Sequence, residues 1–402
     1  MSWEYVKLGS LVELITKGTT PTSVGFNFVD NGINFIKIES IALNGKFIPS
    51  KFAKINSECN SSLKRSQLKA GDILFSIAGA LGRTAIVTND ILPANTNQAL
   101  AIIRLQDERI INKEFLARVL VSESIFNQLS EMKGGVAQQN LSLSQIKDFL
   151  IPLPPLPIQK KIVAKLDAIF AEIDKATAAA KANAKNAEAL FQSYLKQIFE
   201  YELNEYVEKS IDDITLKTKN VSPEKSPLQE FTYVDVSSVS NESFKIVSTQ
   251  KILGKDAPSR AKKHILENDI LFATVRPTLK RIAVVPSDLT NQVASTGYVV
   301  LRASEDAFPK FIFYYLFSNN FMEQMNKLQK GASYPAVTDS DVKNQRLKVP
   351  PLEIQKYVTG KIETVFEKCS IISKVNQSRV NELSAIKDSI LKQVFNGELV
   401  KE

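Results

Sequence analysis

The 402-residue chain contains a single histidine, His264, which limits the chemistry its side chains could perform. A Ser-His-Asp or Cys-His catalytic site would have to use this histidine, and no nucleophile-elbow sequence is present to partner it. The two cysteines, Cys59 and Cys369, are far apart, which predicts free thiols rather than a disulfide framework or a zinc site. The sequence also lacks a Gly-x-x-x-x-Gly-Lys-Ser/Thr phosphate loop and a Gly-x-Gly-x-x-Gly motif. These absences favour a binding protein over an enzyme.

Polar and basic residues in turn-rich segments are the side chains best suited to recognition chemistry. Arginine suits guanine, asparagine or glutamine suits adenine, and lysine suits phosphate. In the first half of the chain, the candidates for DNA contact are Lys64, Arg65, Arg83, Asn95, Asn97, Gln98, Gln138, Gln139 and Asn140. In the second half they are Arg260, Lys262, Lys263, Arg276, Lys280, Arg281, Ser333 and Tyr334. For each of them, the alternative is a solvated loop side chain.

Two pairs of these candidates carry different expectations. Gln138-Gln139 follows Gly134-Gly135, whose backbone can approach DNA closely, and precedes Asn140-Leu141-Ser142, where a short helix is predicted to start. We expect the glutamines to read bases in one half-site only; the alternative is that they cap the Gly-Gly turn. Lys64 and Arg65 are expected to contact phosphates instead.

The chain is one unit of about 200 residues written twice. Leu195-Lys196-Gln197-Ile198-Phe199 matches Leu391-Lys392-Gln393-Val394-Phe395, and Asp72-Ile73-Leu74-Phe75 matches Asp269-Ile270-Leu271-Phe272. A tandem duplication that folds compactly predicts a pseudo-twofold axis within one chain. Because the two copies differ most in their polar loops, the duplication predicts two readers of two different sequences.

Each copy divides into a globular part and a helical part. Residues 1–156 and 206–352 predict mixed strand and helix, because short β-rich runs alternate with helical periodicity. Prolines then end each globular part and favour the start of a helix. The expected fold class is therefore α+β, with two mixed α/β domains joined by two long helices at 157–205 and 353–402.

The two helical segments carry mostly apolar residues in strict 4-3 alternation, from Ile162 to Tyr194 and from Val358 to Ile390. The polar seam residues Asn183, Asn376 and Arg379 are expected to fix the register. This spacing is typical of a coiled-coil seam; the alternative is an amphipathic helix lying on a globular domain. The duplication, with one offset of 196 residues through each helix, predicts that the two rods run antiparallel, because an antiparallel pair places equal modules at opposite ends. About 45 residues of helix reach about 65–70 Å, the length of roughly twenty base pairs.

The formal net charge of +8 is concentrated in the globular parts. Residues 1–156 carry +3 and residues 206–352 carry +4, whereas the helical segments are close to neutral. Two basic modules make a modest electrostatic footprint for nucleic acid. No apolar run is long enough to span a membrane and the N-terminus does not resemble a signal peptide, so we expect a cytoplasmic protein without a membrane partner.

Over its whole length the chain resembles the specificity subunits of type I restriction-modification systems. The motifs of the first copy that carry the resemblance are Trp3-Glu4-Tyr5-Val6-Lys7-Leu8-Gly9, Gly18-Thr19-Thr20-Pro21, Gly71-Asp72-Ile73-Leu74-Phe75-Ser76, Gly135-x-x-Gln138-x-Asn140-Leu141-Ser142 and Ile151-Pro152-Leu153-Pro154-Pro155-Leu156-Pro157-Ile158-Gln159. In the second copy, Asn268-Asp269-Ile270-Leu271-Phe272 fits the same pattern. It departs where Gly331-Ala332-Ser333-Tyr334 replaces the Gln/Asn version, near the expected DNA-reading surface.

The resemblance implies a non-catalytic subunit. Two target recognition domains would each read one half of a bipartite double-stranded DNA site, and the helices would set the spacer and dock two methyltransferase (modification) subunits. The chain itself would bind no cofactor. The partner subunits would supply S-adenosylmethionine and adenine methylation, and restriction subunits would add ATP- and Mg-dependent translocation and cleavage.

Two other classes of function are open on the residues alone. A self-sufficient adenine methyltransferase should contain an Asn/Asp-Pro-Pro-Tyr/Phe motif, whereas the proline pairs here are Leu153-Pro154-Pro155-Leu156 and Val349-Pro350-Pro351-Leu352. A nuclease should cluster carboxylates for Mg²⁺, and we interpret the pair Asp212-Asp213 as solvated or capping. The second alternative is a coiled-coil scaffold that binds only proteins.

Overall fold

The computed structural model describes residues 3–42, 44–132, 140–331 and 333–395. The chain divides into two compact units: unit 1 comprises residues 1–179 and 379–402, and unit 2 comprises residues 180–378. Each unit mixes strands with helices, as expected for the α+β class. Each also contains the first part of one long helix and the last part of the other.

The strands of unit 1 are β1 (Tyr5–Lys7), β2 (Val12–Lys17), β3 (Ile33–Ile36), β4 (Ala53–Ile55), β5 (Ile73–Ser76), β6 (Thr84–Ile86), β7 (Ala94–Thr96), β8 (Leu100–Leu105) and β9 (Leu150–Pro152). Its helices are α1 (Ser57–Ser62), α2 (Lys113–Leu120), α3 (Glu123–Met132), α4 (Leu143–Lys147) and the first part of α5 (Leu156–Lys196). A capping box between Ser142 and Gln145 begins α4, at the predicted helix start.

Unit 1 is layered around an antiparallel sheet in the order β2-β8-β5-β6. Along β5, Ile73 and Phe75 pack with the helices, whereas Leu74 faces a second cluster that includes Ile36 of the sheet β4-β3-β7. Because successive strand residues point to opposite faces, a strand buried on both faces must be apolar throughout. This accounts for the apolar runs Ile73–Phe75 in β5 and Leu100–Ile103 in the matching part of β8.

The strands of unit 2 are β10 (Val207–Ser210), β11 (Thr215–Leu216), β12 (Glu230–Val234), β13 (Gln250–Leu253), β14 (Ala261–Ile265), β15 (Ile270–Ala273), β16 (Ile282–Val284), β17 (Gln292–Ser295), β18 (Tyr298–Ala303) and β19 (Arg346–Val349). Its helices are the last part of α5, a π-helical turn (Gln197–Glu202), α6 (Pro309–Tyr315), α7 (Asn319–Leu328), α8 (Asp339–Lys343) and the first part of α9 (Leu352–Phe395).

Unit 2 repeats the topology of unit 1. Its central sheet has the order β11-β18-β15-β16, and its second sheet has the order β13-β12-β17-β14. The parallel pairing of β3 with β7 recurs between β12 and β17. The units differ at the outer edge of the second sheet, where unit 2 has strand β14 and unit 1 has α1 followed by a 3-10 turn at Lys64–Ser66.

Within each unit, the start of one long helix packs with the end of the other. In unit 1, Leu166 and Phe170 of α5 share a core cluster with Leu391 and Phe395 of α9, and Asp174 pairs with Lys387 at 2.9 Å. In unit 2, Phe191 of α5 packs against Phe366 of α9, with ring centroids 5.1 Å apart. Each unit therefore holds an antiparallel helix pair.

The buried seam differs in part from the predicted one. Five predicted seam residues are exposed: the polar residues Asn183 and Arg379, and the apolar residues Leu190 by 57%, Ile372 by 42% and Ile386 by 48%. Phe191, one position after Leu190, is buried instead. The 4-3 alternation leaves two adjacent faces of a helix as candidates, and the bulky aromatic rings occupy the buried one.

Candidate nucleic-acid interface

In unit 1, three segments far apart in sequence meet at one end of the central sheet. They are the β5–β6 hairpin loop (77–82), the β7–β8 turn (97–99) and residues 140–142. Ile77 donates its backbone N–H to the Ala99 carbonyl at 2.9 Å, and Leu141 donates its backbone N–H to the Ile77 carbonyl at 2.8 Å. We call these three segments the loop cluster of unit 1.

Unit 2 builds the same arrangement from the equivalent segments, 274–280, 296–297 and 333–337. Thr274 donates to the Gly297 carbonyl, and Val337 donates to the Thr274 carbonyl, each through its backbone N–H at 2.9 Å. Asn140 and Ala336 occupy matching positions, since each forms a single antiparallel bridge to the hairpin loop. The loop cluster of unit 2 is therefore held by the same backbone hydrogen bonds as that of unit 1.

The loop cluster of unit 2 brings together three predicted site residues. The guanidinium of Arg276 lies over the ring of Tyr334, with its central carbon 5.0 Å from the ring centroid. Its Nη2 donates to the Ser333 carbonyl at 3.3 Å. All three residues are exposed, and Tyr334 retains 71% of its accessible surface. They form a basic and aromatic patch of defined geometry.

The loop cluster of unit 1 carries uncharged polar side chains instead. Asn140 and Gln98 are exposed, and the Gln98 side-chain oxygen accepts a hydrogen bond from the Thr20 hydroxyl at 2.6 Å. Asn97 turns its side-chain oxygen onto the Ala99 backbone N–H, while its carbonyl accepts from Gly18. A Cβ at Gly18 would lie 1.8 Å from the Thr96 carbonyl oxygen, so this close approach requires glycine. Gln138 and Gln139 lie outside the described residues.

Asn95 is buried and bonds internally. Its side-chain nitrogen donates to the Asn60 side-chain oxygen at 2.9 Å and to the Leu63 carbonyl at 3.2 Å. With 0% of its surface accessible, Asn95 has no route to a base in this conformation. Its hydrogen bonds hold the turn that presents Lys64 and Arg65, which are both exposed. Asn95 is thus placed to position two predicted phosphate contacts.

Arg83 and Arg281 occupy matching positions in the two units and tie loops together. Arg83 donates through Nη1 to the Ile41 carbonyl at 2.9 Å. Arg281 donates through Nη1 to the Val239 carbonyl in the same way. Each guanidinium therefore holds a neighbouring loop against the β-hairpin that carries part of the loop cluster.

The other basic candidates of unit 2 fall into two groups. Arg260 and Lys262, at the edge formed by β14, are exposed. Lys263 and Lys280 lie close to carboxylates, at 2.6 Å from Asp339 and 3.9 Å from Glu188 respectively. The exposed pair is the better placed to meet a phosphate backbone.

His264, the residue any histidine-dependent catalysis would need, is not poised for it. Burial lowers the pKa of its imidazole, and the positive charges of Lys219 and Arg302 lower it further. Within the described ranges, no group of three or more His, Cys, Asp or Glu side chains could hold a metal ion. In the same part of the chain, no helix is both long and apolar enough to cross a membrane.

Two sets of buried side-chain hydrogen bonds recur in both units, and neither contains a residue predicted to contact DNA. Asp72 accepts hydrogen bonds from Nε and Nη2 of Arg104 at 2.7 and 2.8 Å, and Asp269 accepts the same pair from Arg302 at 2.8 and 2.7 Å. Asp72 and Asp269 each retain only 1% of their side-chain surface. The signal that could reveal them is the recurrence of an identical Asp and Arg beside buried strands in both copies.

The second set of buried hydrogen bonds is made by one glutamine in each unit. Gln159 lies near the start of α5, and Gln355 lies at the matching position near the start of α9. Gln159 accepts from the Asn112 backbone N–H at 2.8 Å and donates to the Ile110 and Pro154 carbonyls. Gln355 makes the same three bonds to Phe308, Asp306 and Pro350. Each buried amide therefore fixes the beginning of a long helix against its own globular part.

The family model described as the type I restriction modification DNA specificity domain matches residues 1–183 and 201–381. The chain belongs to this family. The two matched regions correspond to the two repeats, so this specificity subunit contains two target recognition domains. DNA sequence recognition is the role of the family, and catalysis lies in partner subunits. DNA and other subunits of a type I restriction-modification complex are accordingly its partners.

Specificity subunits from Escherichia coli and Methanocaldococcus jannaschii align with this chain. That of the type I restriction enzyme EcoKI from Escherichia coli strain K12 is 22% identical over 434 residues, covering 100% of this chain and 90% of the relative. That of MjaIX from Methanocaldococcus jannaschii is 23% identical over 419 residues, covering 99% and 93%. That of EcoBI from Escherichia coli is 34% identical over 179 residues, which span 44% of this chain and 36% of the relative.

Solved structures share the fold. One is described as the structural basis of complex assembly and conformational transition of the type I R-M system; it aligns with a TM-score of 0.76 and 20% identity, covering 99% of this chain and 98% of that chain. The crystal structure of the HsdS subunit from Thermoanaerobacter tengcongensis aligns with a TM-score of 0.55 and 20% identity, covering 99% and 97%. The family assignment favours DNA recognition over the scaffold and enzyme alternatives.

Proposed function

We infer that each unit reads one half of a bipartite double-stranded DNA site through its loop cluster. The observation that carries this is that equivalent backbone hydrogen bonds hold the loop cluster in both units, while the side chains presented differ. Gln98 and Asn140 suit adenine, whereas Arg276 suits guanine. One scaffold with two sets of base-reading groups is suited to two different half-sites.

Basic residues beside each loop cluster supply the sequence-independent part of binding. Lys64 and Arg65 in unit 1, and Arg260 and Lys262 in unit 2, are exposed. Neutralised phosphates release counterions, so contacts of this kind make affinity fall with salt without conferring sequence preference. These four exposed basic residues are thereby assigned to positioning the protein on the DNA backbone, and the loop clusters are assigned to reading the bases.

We expect the double variant Lys64→Ala, Arg65→Ala to weaken binding to every duplex by a similar factor. The slope of log K against log salt should flatten by about one unit for each phosphate that is no longer neutralised. Equilibrium binding of the full chain, purified with its complex, to duplexes of different sequence measures both quantities. Glu58→Ala, a charge change on the neighbouring α1, serves as the control.

Two outcomes of that titration would count against the proposal. If the wild-type chain and its complex showed no salt-dependent retention of DNA, DNA recognition itself would be wrong and the scaffold alternative would stand. If the double variant changed base preference at an unaltered salt slope, Lys64 and Arg65 would be base readers rather than phosphate contacts.

The long helices are proposed to set the spacer between half-sites and to dock two methyltransferase subunits. Their near-neutral charge favours a spacing and docking role over base reading. In unit 2, α9 exposes Ile371 by 62% and Val375 by 59%, and exposed apolar side chains at this spacing suit a protein partner. The methyltransferase subunits would bring S-adenosylmethionine, and restriction subunits would bring ATP and Mg²⁺.

A further inference from the structure

The hairpin loops of the two units share left-handed backbone positions but fill them with different residues. In unit 1 these positions are Gly79, at φ +65°, and Gly82, at φ +83°. In unit 2 they are Arg276, at φ +50°, and Lys280, at φ +52°. Glycine adopts this conformation without cost, whereas a residue with a Cβ is strained in it. The hairpin loop of unit 2 is therefore strained at two backbone positions, and it carries a basic side chain at each position where unit 1 has glycine.

The two strained residues have different surroundings. Lys280 is half-buried and lies 3.9 Å from Glu188. Arg276 is exposed, and its backbone N–H is anchored to the Pro335 carbonyl at 2.7 Å. Strained backbone clusters at ligand-binding sites, and of these two residues only Arg276 is exposed to a potential ligand.

Two contacts orient the Arg276 guanidinium. Its central carbon lies over the Tyr334 ring, 5.0 Å from the centroid, and its Nη2 donates one hydrogen bond to the Ser333 carbonyl. A guanidinium has five N–H donors, so this bond leaves four for a ligand. A phosphate contact needs only a positive charge, whereas bidentate recognition of a base edge needs a planar fork held in one orientation.

We propose that Arg276 reads a guanine in the half-site bound by unit 2, donating to O6 and N7 in the major groove, with Tyr334 as the positioning residue that holds its plane. This rests on the proposed DNA recognition and adds the identity of one base. Arginine paired with guanine O6 and N7 is the commonest specific side-chain contact with DNA. Arg260 and Lys262 remain available for the phosphates.

The test compares Arg276→Gly with the wild-type chain, each in its complex. Because unit 1 has glycine at the matching position, this substitution relieves the strained backbone and should leave the thermal unfolding temperature unchanged or raise it. Binding is measured to the duplex that the wild-type chain selects from random sequence, and to duplexes with each guanine replaced singly by adenine. For the wild-type chain, replacing one particular guanine in one half-site should lower the binding affinity by about 5- to 150-fold.

Base analogues identify which atoms of the guanine are contacted. At that guanine, 7-deazaguanine, which lacks the N7 acceptor, should weaken wild-type binding, whereas inosine, which keeps O6 and N7, should not. Arg276→Gly should bind all these duplexes alike. Tyr334→Phe keeps the ring and should keep the preference, and Tyr334→Ala should reduce it. Lys262→Ala should weaken every duplex equally.

Two results would overturn the proposal: a guanine preference that survives Arg276→Gly in a folded chain, or a unit 2 half-site in which no guanine is sensitive to 7-deaza substitution. A wild-type chain that selects no sequence in either half would instead refute the proposed function as a whole. The failures of the two proposals are therefore distinguishable.

Discussion

Replacing Asp72 by alanine should lower the free energy of unfolding of unit 1 by about 3 kcal/mol. The Asp72 carboxylate is buried and accepts three hydrogen bonds, two from the Arg104 guanidinium and one from the Lys69 backbone N–H. Its removal leaves the Arg104 side chain, 17% exposed, without its partner. An uncompensated charge in that position costs more than the intact pair contributes.

Urea denaturation of the variant measures this destabilisation, and Asp107→Ala provides a matched control. Asp107 also pairs with an arginine, Arg109, but that arginine is 90% exposed, so solvent screens the interaction and the stability should change little. Asp269→Ala should resemble Asp72→Ala, because Asp269 and Arg302 repeat the geometry in unit 2. An Asp72 variant no less stable than the Asp107 variant would show that the buried pair is dispensable.

Deleting one heptad from the middle of each long helix should shorten the spacer of the DNA site by about three base pairs. Seven residues of helix span about 10 Å, and base pairs are stacked 3.4 Å apart. A whole heptad returns the remaining residues to nearly the same helical face, so the buried seam is kept. The half-site sequences should not change, because the loop clusters lie elsewhere in the sequence.

Sequence selection from random duplexes by the shortened chain and its complex measures both the spacer and the half-sites. Deletion of five residues from each helix is the control: it rotates the residues after the deletion by about 140° relative to those before it, so the seam is broken and the helix pairs should lose stability. Altered half-site bases with an unaltered spacer would contradict a spacing role for the helices.

Much of the fold can be predicted because duplication shows each signal twice. The short β-rich runs of the globular parts are strands in the structure: Leu100–Ile103 lies within β8, and the matching run Tyr298–Leu301 lies within β18. The helix beginning after Ser142 is also predictable, since Ser followed three residues later by Gln is a capping signal. These features depend on local sequence, which periodicity and capping rules describe well.

Other features depend on tertiary contacts that local rules do not capture. The polar neighbourhood of Asn95 in sequence predicts a DNA contact, yet its neighbours in space are Asn60 and Leu63, and it is buried between them. The 4-3 spacing places Leu190 in the seam, although Phe191 is the residue buried there. In both cases the residue type is compatible with two environments, and packing selects one.

The contact between Arg276 and Tyr334 also depends on tertiary structure that the local sequence does not reveal. Each residue can be singled out as a polar or aromatic loop residue, but 57 positions separate Arg276 from Ser333. Their loops are joined by tertiary backbone contacts, which include the bridge between Val275 and Ala336. The left-handed backbone of Arg276 carries no sequence signal, because glycine at the matching Gly79 suggests a turn and arginine does not.

The most direct test of two independent reading units is the motif that the full chain, in its complex, selects from a library of fully randomised duplexes. Two such units predict two short blocks of fixed sequence separated by a constant number of unspecified base pairs, with the blocks differing in sequence because the loop clusters differ. A single contiguous block, or two identical blocks, would contradict the assignment of one half-site to each unit.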